Sequence, residues 1–190
     1  MKVRTILSVL TIVLFIAACK NTAEPVESGY VVPPEILELP EGVTLGLRAP
    51  EILLPDSAGV EKKLSDLHGK LVLVDFWAAW CNPCRVENKT LVKVYEKYRN
   101  RSFEKGSGFE IFSVSLDRNS KAWKNAIIED GLSWEYMLGD LKGARTKAAL
   151  DYGVQLIPAN FLLDQNGVVI ATNLRGEGLE EKLKGLIKQD

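Results

Sequence analysis

Cys81 and Cys84 lie in Trp-Cys-Asn-Pro-Cys, and a dithiol at this spacing can exchange with a disulfide, chelate a metal or close a small structural loop. The pair follows an apolar run and opens a segment with helical spacing. Pro83 falls in the first turn, where its missing N–H costs nothing. Cys81 is therefore expected at a helix N-terminus, where unpaired N–H groups and the positive end of the macrodipole favour a thiolate. A cysteine so placed has its pKa lowered to roughly 3.5–7.5 and attacks at neutral pH. Cys84, just inside the helix and more shielded, suits the resolving role, attacking a mixed disulfide and releasing reduced substrate. Zinc needs four ligands, and the chain has one further cysteine, Cys19, and one histidine, His68. A structural disulfide here would close too small a loop to add much stability. Exchange is the chemistry favoured, with no metal and no cofactor beyond the dithiol.

The elements that must position this pair are legible around it. Leu71-Val-Leu-Val-Asp-Phe76 is a continuous apolar run broken by one acid, the pattern of a central strand buried on both faces. Asn82 to Arg99 has helical spacing in Val86, Thr90, Val94 and Tyr95, and Phe109 to Leu116 reads as a second buried strand. Upstream, Glu51–Leu54 and Val60–Leu64 flank Asp56-Ser-Ala-Gly59 as a hairpin. Downstream, Ser120–Glu129 and Ala144–Tyr152 are expected helices, with a short strand at Glu135–Leu138 between them. Asn160–Leu163 and Val168–Ala171 flank Asp164-Gln-Asn-Gly167, a strong hairpin cue, and Leu179–Lys188 is a closing helix. The order predicts an α/β fold, a mixed sheet covered by helices. Trp77, Phe76 and Tyr95 are expected in its core. His68, in Leu67-His-Gly-Lys70, is expected to be a solvated loop residue.

The first residues set the compartment. A basic Met1-Lys-Val-Arg4 precedes an apolar run from Ile6 to Ile16, too short to span a bilayer core, which needs roughly 20 helical residues. This is the pattern of a secretory signal peptide. Ile16-Ala17-Ala18-Cys19 resembles a bacterial lipobox, which implies cleavage before Cys19 and its acylation. Several acyl chains would anchor the protein stably in a lipid bilayer. Residues 19–45, rich in proline and glutamate, are expected to be a tether, leaving residues 46–190 as the domain. Export places the dithiol where disulfides persist. With a net charge of −1, the chain gives no electrostatic reason to expect nucleic acid as a partner.

Asp75-Phe-Trp-Ala-Ala-Trp-Cys-Asn-Pro-Cys84 is similar to the thioredoxin active-site signature. Gly46-Leu-Arg-Ala-Pro50, Leu64-Ser-Asp-Leu67, Gly69-Lys70 and Cys84-Arg-Val-Glu87 resemble the extracytoplasmic TlpA/ResA-type branch of that family. The resemblance, over residues 46–188, implies a thioredoxin fold with an N-terminal hairpin extension and a helical insertion between Arg118 and Tyr152. It implies that Ile157-Pro158 is a cis-proline segment facing the cysteines, with the Ile157 backbone pairing with substrate. Trp80, Asn82 and Pro83 around Cys81 are expected to meet substrate as well. It also implies that Asp75 is a buried carboxylate near Cys84, which accepts and returns a proton as Cys84 becomes a thiolate. A solvated strand-end aspartate is the alternative. Glu87 resembles the acid of Cys-x-x-Cys-x-x-Glu, although a helix-surface carboxylate or a first-turn dipole partner fits that position too. Lys89 stands where the family commonly carries a helix-kinking proline.

Together these residues predict a lipid-anchored, extracytoplasmic thiol–disulfide oxidoreductase. Its expected partners are exported proteins carrying disulfides and a membrane electron donor. The Asn-Pro pair adds no cation to stabilise a thiolate, which favours a reductase over an oxidase or isomerase running the same chemistry in reverse. A peroxidase would need a Pro-x-x-x-Thr-x-x-Cys segment, which this chain lacks. A redox-inactive binding module with the same fold is the non-enzymatic rival.

Overall fold

The computed structural model describes residues 29–189. The expected signal segment and the lipidation site, Cys19, lie outside the described residues. The elements run α1 (Pro34–Leu37), β1 (Leu53–Pro55), β2 (Glu61–Lys63), a 3-10 turn (Leu64–Leu67), β3 (Leu71–Trp77) and α2 (Asn82–Tyr98). There follow β4 (Ser102–Phe103), β5 (Gly106–Ser107), β6 (Phe109–Ser115), α3 (Ser120–Asp130) and β7 (Tyr136–Leu138). A 3-10 turn (Gly143–Arg145), α4 (Lys147–Asp151), β8 (Ala159–Leu163), β9 (Val169–Thr172) and α5 (Glu177–Lys184) complete the order.

The main sheet has five strands in the order β7-β6-β3-β8-β9. β3 sits at its centre, parallel to β6 and antiparallel to β8. Every residue of β3 and β6 is buried, as expected for strands covered on both faces. On one face Phe76 packs with Tyr152 and Phe161, ring centroids 5.3 and 6.2 Å away. Tyr95 on α2 meets Trp134 at 5.6 Å. This mixed sheet with flanking helices is the thioredoxin arrangement.

Both sheet edges are covered by chain from the N-terminal side, which removes the open template an edge strand presents. Gly139 N–H donates to the Pro55 carbonyl (3.0 Å) beside β7, tying the β1–β2 hairpin to that edge. At the other edge Gly46 N–H donates to Val169 O and Val169 N–H to Leu47 O, each at 2.9 Å. The two hairpins share one turn device. Asp56 Oδ1 accepts from Ala58 and Val60 N–H, and Asp164 Oδ1 accepts from Asn166 and Val168 N–H.

Some expectations shift. The buried face of α2 is Cys84, Asn88, Leu91, Val94, Tyr95 and Tyr98, whereas Val86 is 69% exposed. The face includes a polar residue because Asn88 donates to Asp130 on α3 at 2.7 Å, a tertiary partner that apolar periodicity does not register. α2 runs unbroken from Asn82 to Tyr98 through Lys89. The expected helix at Ala144–Tyr152 is split at Thr146, whose backbone is extended (ψ 140°) and whose buried hydroxyl donates to Asp140 at 3.2 Å. The closing helix ends at Lys184, and Ile187 instead forms a bridge to Phe103. His68 is half-buried beside the Gly167 turn and not fully solvated; burial pushes its pKa down.

Candidate active site

The site forms where β3 hands over to α2. The Ala78 carbonyl accepts the Cys81 N–H at 3.0 Å, and Cys81 takes the N-cap position of α2 with an extended backbone. Its Sγ accepts the Cys84 N–H at 3.2 Å. Pro83 lies in the first turn and leaves no donor stranded. The two sulfurs are joined as a disulfide, with the cysteine Cα atoms 5.2 Å apart. The helix therefore directs the Cys84 N–H and the positive end of its dipole at Cys81 Sγ, which is where a thiolate would be stabilised on reduction. Cys84 is 1% exposed and Cys81 5%, so the first is the shielded partner.

The loop before Cys81 is held from beneath. Ala79 N–H donates to both carboxylate oxygens of buried Asp117, at 3.2 and 3.0 Å, and the Ser115 hydroxyl donates to the same carboxylate at 2.8 Å. Arg85 donates to the Ala79 carbonyl at 3.3 Å and pairs with Asp130 (2.5 Å) and Glu129 (2.9 Å), locking the start of α2 to the end of α3. With its base fixed in this way, Trp80 projects outward, 66% exposed. Asn82 and Pro83 are also exposed beside it. Trp80 lines a groove that continues along Arg118, Asn119 and Ala122.

Ile157-Pro158 is a cis peptide, and the Ile157 carbonyl oxygen lies 3.8 Å from Cys81 Sγ. The structure thus brings the distant proline segment to the cysteines. Ile157 is half-buried, and its neighbour Leu156 is 85% exposed. Trp80 and Pro83, exposed on either side of Cys81 in sequence, give the rim around the sulfurs an apolar character.

Asp75 lies in the middle of the sheet, 2% exposed, and its Oδ1 has no hydrogen-bond partner. Burial raises its pKa to about 7, opposed by the positive charge of Arg175 and reinforced by the negative charge of Glu87. This is not a solvated strand-end aspartate. Glu87 lies beyond the first turn of α2, which holds no acid, and its Oε1 accepts the Gly176 N–H at 3.0 Å. Arg175 in turn donates to the Leu174 carbonyl at 2.7 Å and to the carbonyl of Pro158. Sequence reasoning did not single out Arg85, Asp117, Asn160 or Arg175. Asp117 had a usable signal, an acid directly after the apolar run of a buried strand.

Among the described residues no group of three or more His, Cys, Asp or Glu side chains could hold a metal ion. No described helix is long and apolar enough to cross a membrane.

Comparison with known proteins adds independent support for the chemistry. The AhpC/TSA family model matches residues 45–172. The thiol-disulfide oxidoreductase ResA of Bacillus thuringiensis (strain Al Hakam) is 32% identical over 149 residues, covering 78% of this chain and 80% of that protein. Among solved structures, the thioredoxin domain of a thiol-disulfide oxidoreductase from Bacteroides vulgatus superposes with a TM-score of 0.69 at 33% identity, covering 77% of this chain and 100% of that one. A putative thiol:disulfide interchange protein DsbE from Chlorobium tepidum gives 0.66 at 29% identity, covering 76% and 98%.

Proposed function

Because this chain belongs to the AhpC/TSA family and is a thiol–disulfide oxidoreductase of the ResA type, we propose that it works outside the cytoplasm, reducing disulfides in exported proteins. The observation that carries the reading is a Cys81–Cys84 disulfide at a helix N-terminus, faced by cis-Pro158, with Asp75 buried in the adjoining strand.

In the reduced protein, the Cys81 thiolate attacks one sulfur of the substrate disulfide. A Cys81–substrate disulfide forms, and the other substrate sulfur leaves as a thiolate. The Asp75 carboxylate then accepts the Cys84 proton, and the Cys84 thiolate attacks Cys81 Sγ. The second substrate sulfur is released and the Cys81–Cys84 disulfide remains, so two electrons have passed to the substrate. An electron donor in the membrane returns the pair to the dithiol, and no further cofactor takes part. Trp80, Asn82, Pro83 and the Ile157 backbone are the surfaces offered to the substrate segment. Acylated Cys19 would hold the domain at the bilayer.

Direction is tested by the redox potential. A value near the thioredoxin end, roughly −270 mV, is expected, and one near −120 mV would make the protein an oxidant. A Cys84→Ser variant expressed in cells should accumulate exported proteins disulfide-linked to Cys81. Recovery of none would favour the redox-inactive module. Fatty-acid labelling that persists in a Cys19→Ala variant would remove the lipid anchor from the proposal.

A further inference from the structure

The loop 173–176 touches both walls of the active site. On one side Arg175 donates to the carbonyl of cis-Pro158 and, at 2.7 Å, to the Leu174 carbonyl. On the other, the next residue, Gly176, donates its N–H to Glu87 on α2 at 3.0 Å. The loop itself is pinned to the sheet. The Asn160 amide donates to Leu174 O at 2.8 Å and accepts the Leu174 N–H at 2.9 Å, while Asn173 N–H donates to Asn160 O at 2.7 Å. The loop turns through positive φ at Asn173 and Gly176 (52° and 49°).

We propose that Arg175 is a positioning residue of the exchange reaction, tying the cis-proline wall through its loop to the cysteine-bearing helix and so fixing the cleft in which a substrate segment meets Cys81. A guanidinium suits this task because its planar fork can serve two carbonyls at once, which a lysine ammonium on a flexible stem does poorly. The same cation is one of the two charged groups acting on Asp75, the other being Glu87, so the loop that sets the cleft also biases the proton acceptor. The inference rests on disulfide exchange at Cys81.

The test uses the full-length protein with Arg175→Gln and Arg175→Lys, reacting each reduced form with a disulfide-containing peptide and with a small aromatic disulfide across pH. For Arg175→Gln, KM for the peptide should rise roughly five- to tenfold, the loss of one ordinary hydrogen bond felt at the cleft, with kcat at pH 8.5 little changed. The small disulfide, which does not span the cleft, should keep its rate at pH 8.5. The midpoint for the resolving step should move up, lowering its rate at pH 6.5 roughly three- to eightfold, because the neighbouring cation is gone. Arg175→Lys should restore that midpoint but not the peptide KM. Wild-type KM and midpoint in Arg175→Gln would overturn the inference, as would equal losses on both substrates with an unmoved midpoint. If the glutamine variant does not fold, the lysine variant decides: a raised peptide KM with a wild-type midpoint supports the inference, and a wild-type KM overturns it. A wild-type protein that reduces neither disulfide would overturn the proposed function itself, and this inference with it.

Discussion

Replacing Asp75 by asparagine should change the pH dependence of stability in a calculable way. Burial raises the Asp75 pKa from 3.8 to about 7. The folded protein therefore keeps this proton to a higher pH than the unfolded chain does. Between those two values unfolding releases a proton, so stability falls as pH rises through the window and levels off above it. At about 1.36 kcal/mol per pKa unit, the ionised carboxylate costs the oxidised fold about 4 kcal/mol above pH 7. The part of that cost incurred between pH 5 and pH 8 is about 2–3 kcal/mol. Asparagine does not titrate, so the variant should gain this amount relative to wild type across the same range. Burying an amide in place of the acid adds an offset, but one that does not vary with pH and cancels in the slope. Urea denaturation of both oxidised proteins at four pH values, followed by tryptophan fluorescence, measures the difference. Parallel stability curves would refute the claim that a buried carboxyl with a raised pKa sits at this position. The variant should also resolve mixed disulfides on the order of 10²-fold more slowly, the usual loss of a general base.

Asn160→Ala removes both hydrogen bonds to Leu174 and should cost about 2–3 kcal/mol, read from the urea midpoint at constant m. Trp80→Ala, at a residue 66% exposed, should leave stability within about 0.5 kcal/mol while raising KM for peptide disulfides. An unchanged KM would remove Trp80 from the docking surface. Asp117→Ala frees the Ala79 N–H and should destabilise the protein by about 1–3 kcal/mol, since a buried donor loses its acceptor. Slower attack by Cys81 should accompany that loss, measured as the rate of thiol alkylation in the reduced protein.

How much of this was legible beforehand depended on what kind of contact made each feature. The central strand could be read because β3 is buried on both faces, which forces a continuous apolar run. The dithiol could be read because its chemistry and its helix start lie within four consecutive residues. The face of α2 was misread, since Val86 fits the apolar period yet stays outside, while Asn88 is buried by its bond to Asp130. The β4–β5 ribbon was not anticipated; with two residues in each strand there is too little alternation to detect. Arg175 left no trace for another reason. Its partners are backbone carbonyls, which every residue possesses, so nothing in the residue types at 158 or 174 announces the contact.

The unpartnered oxygen of Asp75 follows from that same loop. Directly across the sheet from Asp75 lie Ser113 on β6 and Asn160 on β8. Asn160 carries an amide donor, and a donor reaching a carboxylate stabilises the charged form and lowers its pKa. Here that amide is turned to the Leu174 carbonyl, the Ser113 hydroxyl accepts the Trp134 indole N–H at 3.0 Å, and neither side chain makes a hydrogen bond to Asp75 Oδ1. Burial therefore acts on Asp75 Oδ1 without a hydrogen bond to oppose it. The loop that draws Asn160 away brings Arg175 instead, a cation that lowers the pKa without closing a contact on the unpartnered oxygen. Burial and the Glu87 charge upward and Arg175 downward leave the group near 7, where it can both take a proton and return it. A direct donor from Asn160 would carry it towards the ordinary carboxylate range, where the ionised form would cost the fold less and the group would be a weaker base for a thiol proton. The price in stability at position 75 and the usefulness of the residue to Cys84 thus have one physical origin, a buried carboxylate oxygen without a donor, to which the hydrogen bonds that hold Asn173 and Leu174 to Asn160 contribute.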